Sequence, residues 1–177
     1  IPVHAKIMGY SAESHDPNMI WNGTNYEYYV DFFDINGCDY WDYFDDDRPE
    51  LEKNMWYDYM TSLKDVPVAN TEDHVIKDGN VNYDPYHADY VARDIYMGAA
   101  HGRGFSDLWV WARQGPNAAT DLKGGFANRP DAIAKAGKAV LDLNRLSYEI
   151  TAVQKEEREI GILYSNASIL NDNTVQM

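Results

Sequence analysis

Four short stretches of the sequence combine side chains that are able to do chemistry. They are residues 9–11 (GYS), 41–43 (WDY), 70–74 (NTEDH) and 109–113 (WVWAR). Carboxylates, a histidine and broad aromatic rings suit the cleavage of a glycosidic bond, because a carboxylate attacks or stabilises the oxocarbenium-like centre while the rings hold the sugar. Phosphoryl transfer would instead need clustered cations or a glycine nest, and these stretches contain neither.

Each stretch lies at the end of a predicted β-strand. Runs of β-branched and aromatic residues predict strands at residues 3–8, 38–44, 66–71, 105–111 and 159–164. Capping residues and helical periodicity predict helices at residues 24–36, 49–63, 84–100 and 128–153. Thr24 and Glu27 fit a capping box for the first helix, and Gly37 is its expected stop. Strand and helix therefore alternate along the chain.

The alternation predicts parallel strands with helical crossovers, in either a barrel or a doubly wound sheet. A nucleotide-binding doubly wound sheet needs a G-x-G-x-x-G turn after its first strand, and none follows residues 3–8. The barrel is therefore favoured. A complete (β/α)8 barrel takes about 250 residues, so the 177 residues of this chain predict about half of one. Reacting groups in such barrels lie at the carboxyl ends of the strands.

The composition argues against several classes of protein. The chain has 29 acidic and 15 basic side chains, and a formal charge of -14 repels phosphate backbones, so no nucleic-acid partner is expected. No apolar run approaches the roughly 20 residues of a membrane helix, so no membrane partner is expected either. The single Cys38 excludes an internal disulfide. Aromatic residues make up 14% of the chain, which favours a surface that stacks flat ligands such as sugar rings.

Residues 39–43 (DYWDY), 70–74 (NTEDH) and 109–113 (WVWAR), together with Gly98, resemble the later strands of clan A retaining glycoside hydrolases, above all the β-galactosidases of glycoside hydrolase family 42. That family shows Trp-Asp-x-Tyr at the end of its sixth strand, a nucleophilic Glu at the end of the seventh and an aromatic-x-Trp-Arg-like end on the eighth. Here Ala112 stands between the tryptophan and the arginine, which departs from the family pattern. The match is carried by the order and spacing of the motifs.

The resemblance implies an α/β fold that is half of a (β/α)8 TIM barrel (strands 5–8), followed by the first strand of another α/β domain. Residues 1–155 would form the carboxyl-terminal half of the catalytic barrel. Residues 156–177 would begin the second domain, which opens with the strand at 159–164. The expected partners are a carbohydrate substrate and the missing amino-terminal half of the barrel, from the same polypeptide or from a cleaved fragment.

The resemblance also implies roles for single side chains. Glu72 is expected to be the catalytic nucleophile, although an exposed loop glutamate would look the same in the sequence. His74 would donate a hydrogen bond to the nucleophile or to a sugar hydroxyl, and Trp111 would form a floor on which the sugar stacks. Asp42 would bind sugar hydroxyls, and Tyr43 or Tyr10 would support the nucleophile. Arg113 would form an ion pair with the nucleophile. The alternatives are that His74 is an ordinary loop histidine, that Trp111 is a core residue and that Arg113 forms a structural ion pair at the rim. No cofactor is expected.

A retaining mechanism needs a second carboxyl group that acts as acid and then as base. In the family this group follows an Asn at the end of the fourth strand, which would lie upstream of Ile1, and the surroundings of Glu13 do not resemble such a pair. The acid/base is therefore expected outside this chain. Two rival functions are a non-catalytic carbohydrate-binding barrel and a barrel lyase or isomerase whose metal is held by aspartates such as those at 45–47. Charge runs are usually solvated and no calcium-loop pattern is present, so no metal is expected.

Overall fold

The computed structural model describes residues 1–5, 25–40, 49–76, 86–111, 125–165 and 167–168. Its helices and strands follow one another as α1 (Tyr26–Tyr29), β1 (Asn36–Cys38), α2 (Pro49–Leu63), β2 (Val68–Asp73), α3 (Tyr86–Ala100), β3 (Arg103–Leu108), α4 (Pro130–Arg145) and α5 (Ser147–Gln154). A 3-10 turn at Phe126–Asn128 precedes α4. The bounds of α2 agree with the prediction at both ends, and α3 ends where it was predicted to end.

The described strands form a three-stranded parallel sheet in the order β1–β2–β3. The Cα of Val68 in β2 lies opposite Asn36 on one side and opposite Arg103 on the other. Helix α2 lies between β1 and β2 in the chain, and α3 lies between β2 and β3. Strands that are neighbours in the chain are thus neighbours in the sheet, as in a segment of a (β/α)8 barrel. The predicted mixed α/β class and the parallel pairing are confirmed.

The pairing of β2 with β3 is irregular near the carboxyl end of β2. From Asn70 to Asp73 this strand advances by three residues, whereas the partner positions Ser106 and Leu108 are only two residues apart. A β-bulge of this kind leaves one extra residue in one strand and re-aims the side chains around it. Glu72 lies within this bulge.

Two apolar clusters hold the helices against the sheet. The first packs α2 against β2 and the segments around β1, and it consists of Tyr26, Tyr40, Trp56, Tyr57, Met60 and Val68. The second joins α3 and α4 beyond the end of β2, and it consists of Val75, Ile76, Ala88, Val91, Ile95, Phe126, Ala132, Ala136 and Ala139. Helix α4 contributes only alanines to the fully buried set. Among the described helices, none has the length and apolar character needed to cross a membrane.

The predicted strand at 159–164 is wrong. These residues form no strand, and Ile160, Ile162 and Leu163 are 82%, 82% and 94% exposed. A strand needs a neighbouring strand to satisfy its backbone N–H and C=O groups. Within the described part of the chain, no strand pairs with this segment. An alternating apolar pattern therefore exists here without the sheet that it predicted.

The first predicted helix and the strand after it are displaced along the chain. The helix is only the single turn α1, and its N-cap is Asn25, whose Oδ1 accepts a hydrogen bond from the amide of Glu27 at 3.0 Å. Strand β1 already begins at Asn36 and includes Gly37, so this glycine does not stop a helix. Pairing with β2 recruits these residues into the sheet, which overrides the local helical pattern. Residues 3–5 form no strand, and 6–8 lie outside the described residues.

Gly37→Ala is expected to destabilise the protein by about 2–4 kcal/mol. Gly37 has a φ of +138°, which L side chains rarely adopt, and a Cβ there would lie 2.0 Å from the carbonyl oxygen of Ala69 in β2. The strain and the clash both act on the pairing of β1 with β2. The midpoint of urea unfolding, compared with that of the wild type, measures the loss.

Gly137→Ala is the matched control for this substitution. Gly137 lies in α4, where an added Cβ meets no atom within 4 Å. Replacing a glycine in a helix by alanine is expected to stabilise the protein by about 0.5–1 kcal/mol. Opposite shifts of the two midpoints are therefore expected. A Gly37→Ala midpoint equal to that of the wild type would contradict the close approach of β1 to β2.

Candidate active site

Three ionisable side chains meet at the carboxyl ends of β1 and β2. Asp39 directly follows β1, Glu72 is the penultimate residue of β2, and His74 directly follows β2. Nε2 of His74 lies 3.2 Å from Oε1 of Glu72, and one ligand atom from each of the three residues lies within 4.8 Å of the other two. Asp39 and His74 are only 2% and 5% exposed, and Glu72 is partly buried. We call these residues the carboxylate–histidine set.

The side chain of Asn70 fixes the backbone that carries this set. Its Nδ2 donates to the carbonyl oxygen of Tyr40 at 2.7 Å and to the hydroxyl of Tyr57 at 3.0 Å. Its Oδ1 accepts from the backbone amides of Tyr40 and Glu72, each at 3.2 Å. One fully buried amide thus ties the segment after β1 to the bulge in β2. Because both segments carry members of the set, Asn70 determines their separation.

A buried ion cluster lies directly behind the end of β2 and consists of Lys53, Asp73, Asp94 and Arg103. Nζ of Lys53 lies 2.9 Å from an oxygen of each aspartate. One guanidinium nitrogen of Arg103 lies 2.6 Å from Asp73 and 2.9 Å from Asp94. The four residues come from α2, β2, α3 and β3 respectively. Asp73 follows Glu72 in the sequence, so the cluster anchors the strand end that carries the proposed nucleophile.

The electrostatics of the buried ion cluster favour its charged form. Burial by itself would raise the pKa of Asp94, but Lys53 and Arg103 outweigh burial and hold this pKa below its ordinary value. Burial would likewise lower the pKa of Lys53, but Asp73 and Asp94 raise it well above its ordinary value. Lys53 and Asp94 are therefore ionised at neutral pH. Two cations face two carboxylates, and the partners of each charge are within hydrogen-bond distance.

Two tryptophans follow β3, and Trp109 contacts the carboxylate–histidine set. The ring of Trp109 stacks on that of His74, with centroids 5.6 Å apart and an interplanar angle of 17°. The ring of Trp111 stacks on that of Phe126 at 6.4 Å and 9°, yet 59% of the residue is exposed. Trp109 therefore fixes the orientation of the imidazole, and Trp111 presents aromatic surface to solvent beside the carboxyl ends of the strands.

The structure brings together two of the residues that the sequence proposed and leaves others outside its described part. Glu72 and His74 are in contact, and Trp111 lies three residues beyond β3. The other predicted site residues lie outside the described residues, and these are Tyr10, Asp42, Tyr43 and Arg113. The aspartates at 45–47 also lie outside them. Their roles stay predictions.

Asp39 and Trp109 belong to the stretches at 39–43 and 109–113, but the sequence patterns assigned a role to neither of them. Each is the first residue after its strand, since β1 ends at Cys38 and β3 ends at Leu108. The predicted strands ran to 44 and 111, and the later end of each strand drew attention to Asp42 and Trp111 instead. A prediction that the strands begin at Asn36 and Arg103 and end at Cys38 and Leu108 would have identified both residues. The signal was present but weak, because glycines lie within both strands.

Neither a comparison with models of known protein families nor one with curated proteins finds a match for this chain. Among solved structures, its fold is similar to that of the apo exo-carrageenase of glycoside hydrolase family 42 from Bacteroides ovatus, with a TM-score of 0.65 and 22% sequence identity. The similarity covers 95% of this chain and 25% of that chain, so this chain spans about a quarter of the length of the related structure. At this identity the comparison establishes a likeness of fold.

Proposed function

We propose that this chain supplies strands 5–8 of the (β/α)8 barrel of a retaining, β-galactosidase-like glycoside hydrolase, with Glu72 as its nucleophile. The observation that carries the proposal is the position of the Glu72 carboxylate, at the carboxyl end of the central parallel strand and 3.2 Å from His74. Catalytic groups of (β/α)8 enzymes occupy this end of the strands. The likeness of fold to a glycoside hydrolase family 42 chain supports the same assignment.

In the proposed reaction, Glu72 attacks the anomeric carbon and forms a glycosyl-enzyme intermediate, which water then hydrolyses. An attacking carboxylate must be ionised, and a proton on Nε2 of His74 would stabilise that form of Glu72 through their contact. The acid/base comes from polypeptide outside this chain. It must approach to about 5–5.5 Å from Glu72, because that separation is typical of retaining enzymes.

The proposal assigns the remaining residues to the same cleft. Trp111 stacks on the sugar, and its exposure supports this role. Asp42 binds sugar hydroxyls, Tyr10 and Tyr43 support the nucleophile, and Arg113 keeps it charged. All four belong to the stretches at the ends of the predicted strands.

Residues 1–155 are proposed to form half of the barrel, which the amino-terminal half completes. The end of α5 at Gln154 and the exposure of Ile160, Ile162 and Leu163 support a domain boundary near residue 155. Residues 156–177 would then belong to a following domain. Pairing with the amino-terminal half would also cover the outer edge of β3.

Hydrolysis of a nitrophenyl β-galactoside by the full-length protein tests the proposed function. This leaving group needs little protonation, so a working nucleophile is expected to release one equivalent of nitrophenol in a burst before the slower steady state. Carrageenan is the second substrate to test, since the related structure is described as an exo-carrageenase. Binding of sugar without any burst or turnover would instead identify a non-catalytic carbohydrate-binding barrel.

A further inference from the structure

The carboxylate–histidine set has the composition of a three-ligand metal site. It offers one imidazole nitrogen and two carboxylates, all within 4.8 Å of one another, from residues that are buried or partly buried. Imidazole suits zinc and neighbouring transition metals, and two carboxylates neutralise a divalent charge. The set is thus more than a group of acidic residues, because a nitrogen ligand is held against one of them at 3.2 Å.

The separations are close to those that a zinc ion requires. Zinc lies about 2.0–2.2 Å from nitrogen and carboxylate oxygen, so two ligand atoms in a tetrahedral site are about 3.4 Å apart. The contact between His74 and Glu72 already has nearly this length, at 3.2 Å. A rotation of the Asp39 or Glu72 carboxyl group would bring in the third ligand from within 4.8 Å. Trp109 stacks on the imidazole and holds its plane in place.

We infer that Asp39, Glu72 and His74 together bind a divalent transition-metal ion of the zinc type, with water in the fourth position. Ca²⁺ and Mg²⁺ fit less well, because these ions take oxygen ligands and gain nothing from the imidazole. The consequence for activity rests on the proposed function. A metal ion on Glu72 occupies the nucleophile, so it competes with the substrate and reversibly switches the enzyme off.

Zn²⁺ titration of the metal-free, full-length protein in a calorimeter, without carbohydrate, tests this inference. We expect one Zn²⁺ site, and we expect Glu72→Gln and His74→Ala each to lower its affinity by more than about 100-fold. Loss of a ligand should exceed the tenfold to hundredfold effect of removing a residue that only supports a ligand. Mg²⁺ and Ca²⁺ are expected to bind at least about 100-fold more weakly than Zn²⁺. Co²⁺ at the same site is expected to show the visible d–d bands of a four-coordinate ion, and these bands should be lost in both variants.

His101→Ala is the matched control. Nδ1 of His101 lies 2.9 Å from Oδ2 of Asp58, and among the described residues no third ligand joins this histidine and carboxylate. Zn²⁺ affinity is expected to stay unchanged in this variant. Equal affinity in the wild type and His74→Ala, or an equal loss in His101→Ala, would overturn the site. If circular dichroism shows that His74→Ala is unfolded, the Zn²⁺ affinity of the isosteric Glu72→Gln variant decides whether the site exists.

The inferred metal site and the proposed function can be refuted independently of each other. Zinc binding with full hydrolysis by Glu72→Gln would refute the nucleophile and keep the metal site. An essential Glu72 in a protein that binds no zinc would refute the metal site and keep the glycosidase.

Discussion

Glu72→Gln in the full-length protein is expected to lower kcat for a nitrophenyl β-galactoside by about 10⁴-fold or more and to abolish the burst. Glutamine keeps the shape of the side chain but cannot attack the anomeric carbon. Glu72 is only partly buried, and its backbone amide still bonds to Asn70 in this variant. The midpoint of thermal unfolding is therefore expected to change little, and stopped-flow release of nitrophenol measures the loss.

Glu149→Gln provides the comparison for this result. Glu149 is an exposed carboxylate in α5, a helix whose Gln154 bonds to the carbonyl oxygen of Ala99 in α3, so its loss is expected to leave kcat and the burst unchanged. This variant therefore separates the effect on kcat of losing one negative charge from the effect of losing the nucleophile. A Glu72→Gln enzyme that retains a tenth of the wild-type kcat would exclude Glu72 from the covalent step.

Lys53→Met is expected to destabilise the protein by about 3–5 kcal/mol, because it leaves Asp73 and Asp94 buried with only one cation. Lys53 is 1% exposed and contacts both carboxylates at 2.9 Å. Methionine fills a similar volume, so the loss reflects charge rather than a cavity. Equilibrium unfolding in guanidinium chloride measures the effect.

Lys138→Met removes an ion pair of similar length from the surface. Nζ of Lys138 lies 3.0 Å from Asp142, but the lysine side chain is 74% exposed and water already screens the pair. The unfolding midpoint is expected to stay close to that of the wild type. Similar midpoints for the two methionine variants would show that the buried ion cluster does not anchor β2.

The helices α2 and α3 could be predicted from the sequence because each carries its own local signals. Pro49 begins α2, and glycines follow the end of α3. The short strands were harder, since their bounds depend on their partners. Asn36 and Gly37 belong to a strand because they pair with Val68 and Ala69, and no local pattern contains that information. The segment at 159–164 fails for the opposite reason, because its pattern has no described partner strand.

The candidate site, too, could be predicted from local sequence patterns only in part. Glu72 and His74 were found from the motif after a predicted strand, and their contact follows from their spacing of two residues. The approach of Asp39 depends on Asn70, which bonds to Tyr40 after the neighbouring strand and to Glu72 in its own strand. The buried ion cluster joins side chains from four different elements, α2, β2, α3 and β3. Such contacts are products of tertiary packing, so single-sequence patterns do not reveal them.

The bulge in β2 makes this part of the chain intolerant of insertions and deletions. Glu72 and Asp73 are consecutive acids with different tasks, one in the carboxylate–histidine set and the other in the buried ion cluster. Removing one residue between Asn70 and Asp73 would put Asp73 in the place of Glu72 and leave the buried ion cluster with only one carboxylate. Homologous chains should therefore vary in length in their loops and keep this spacing constant, even where the residues themselves have diverged.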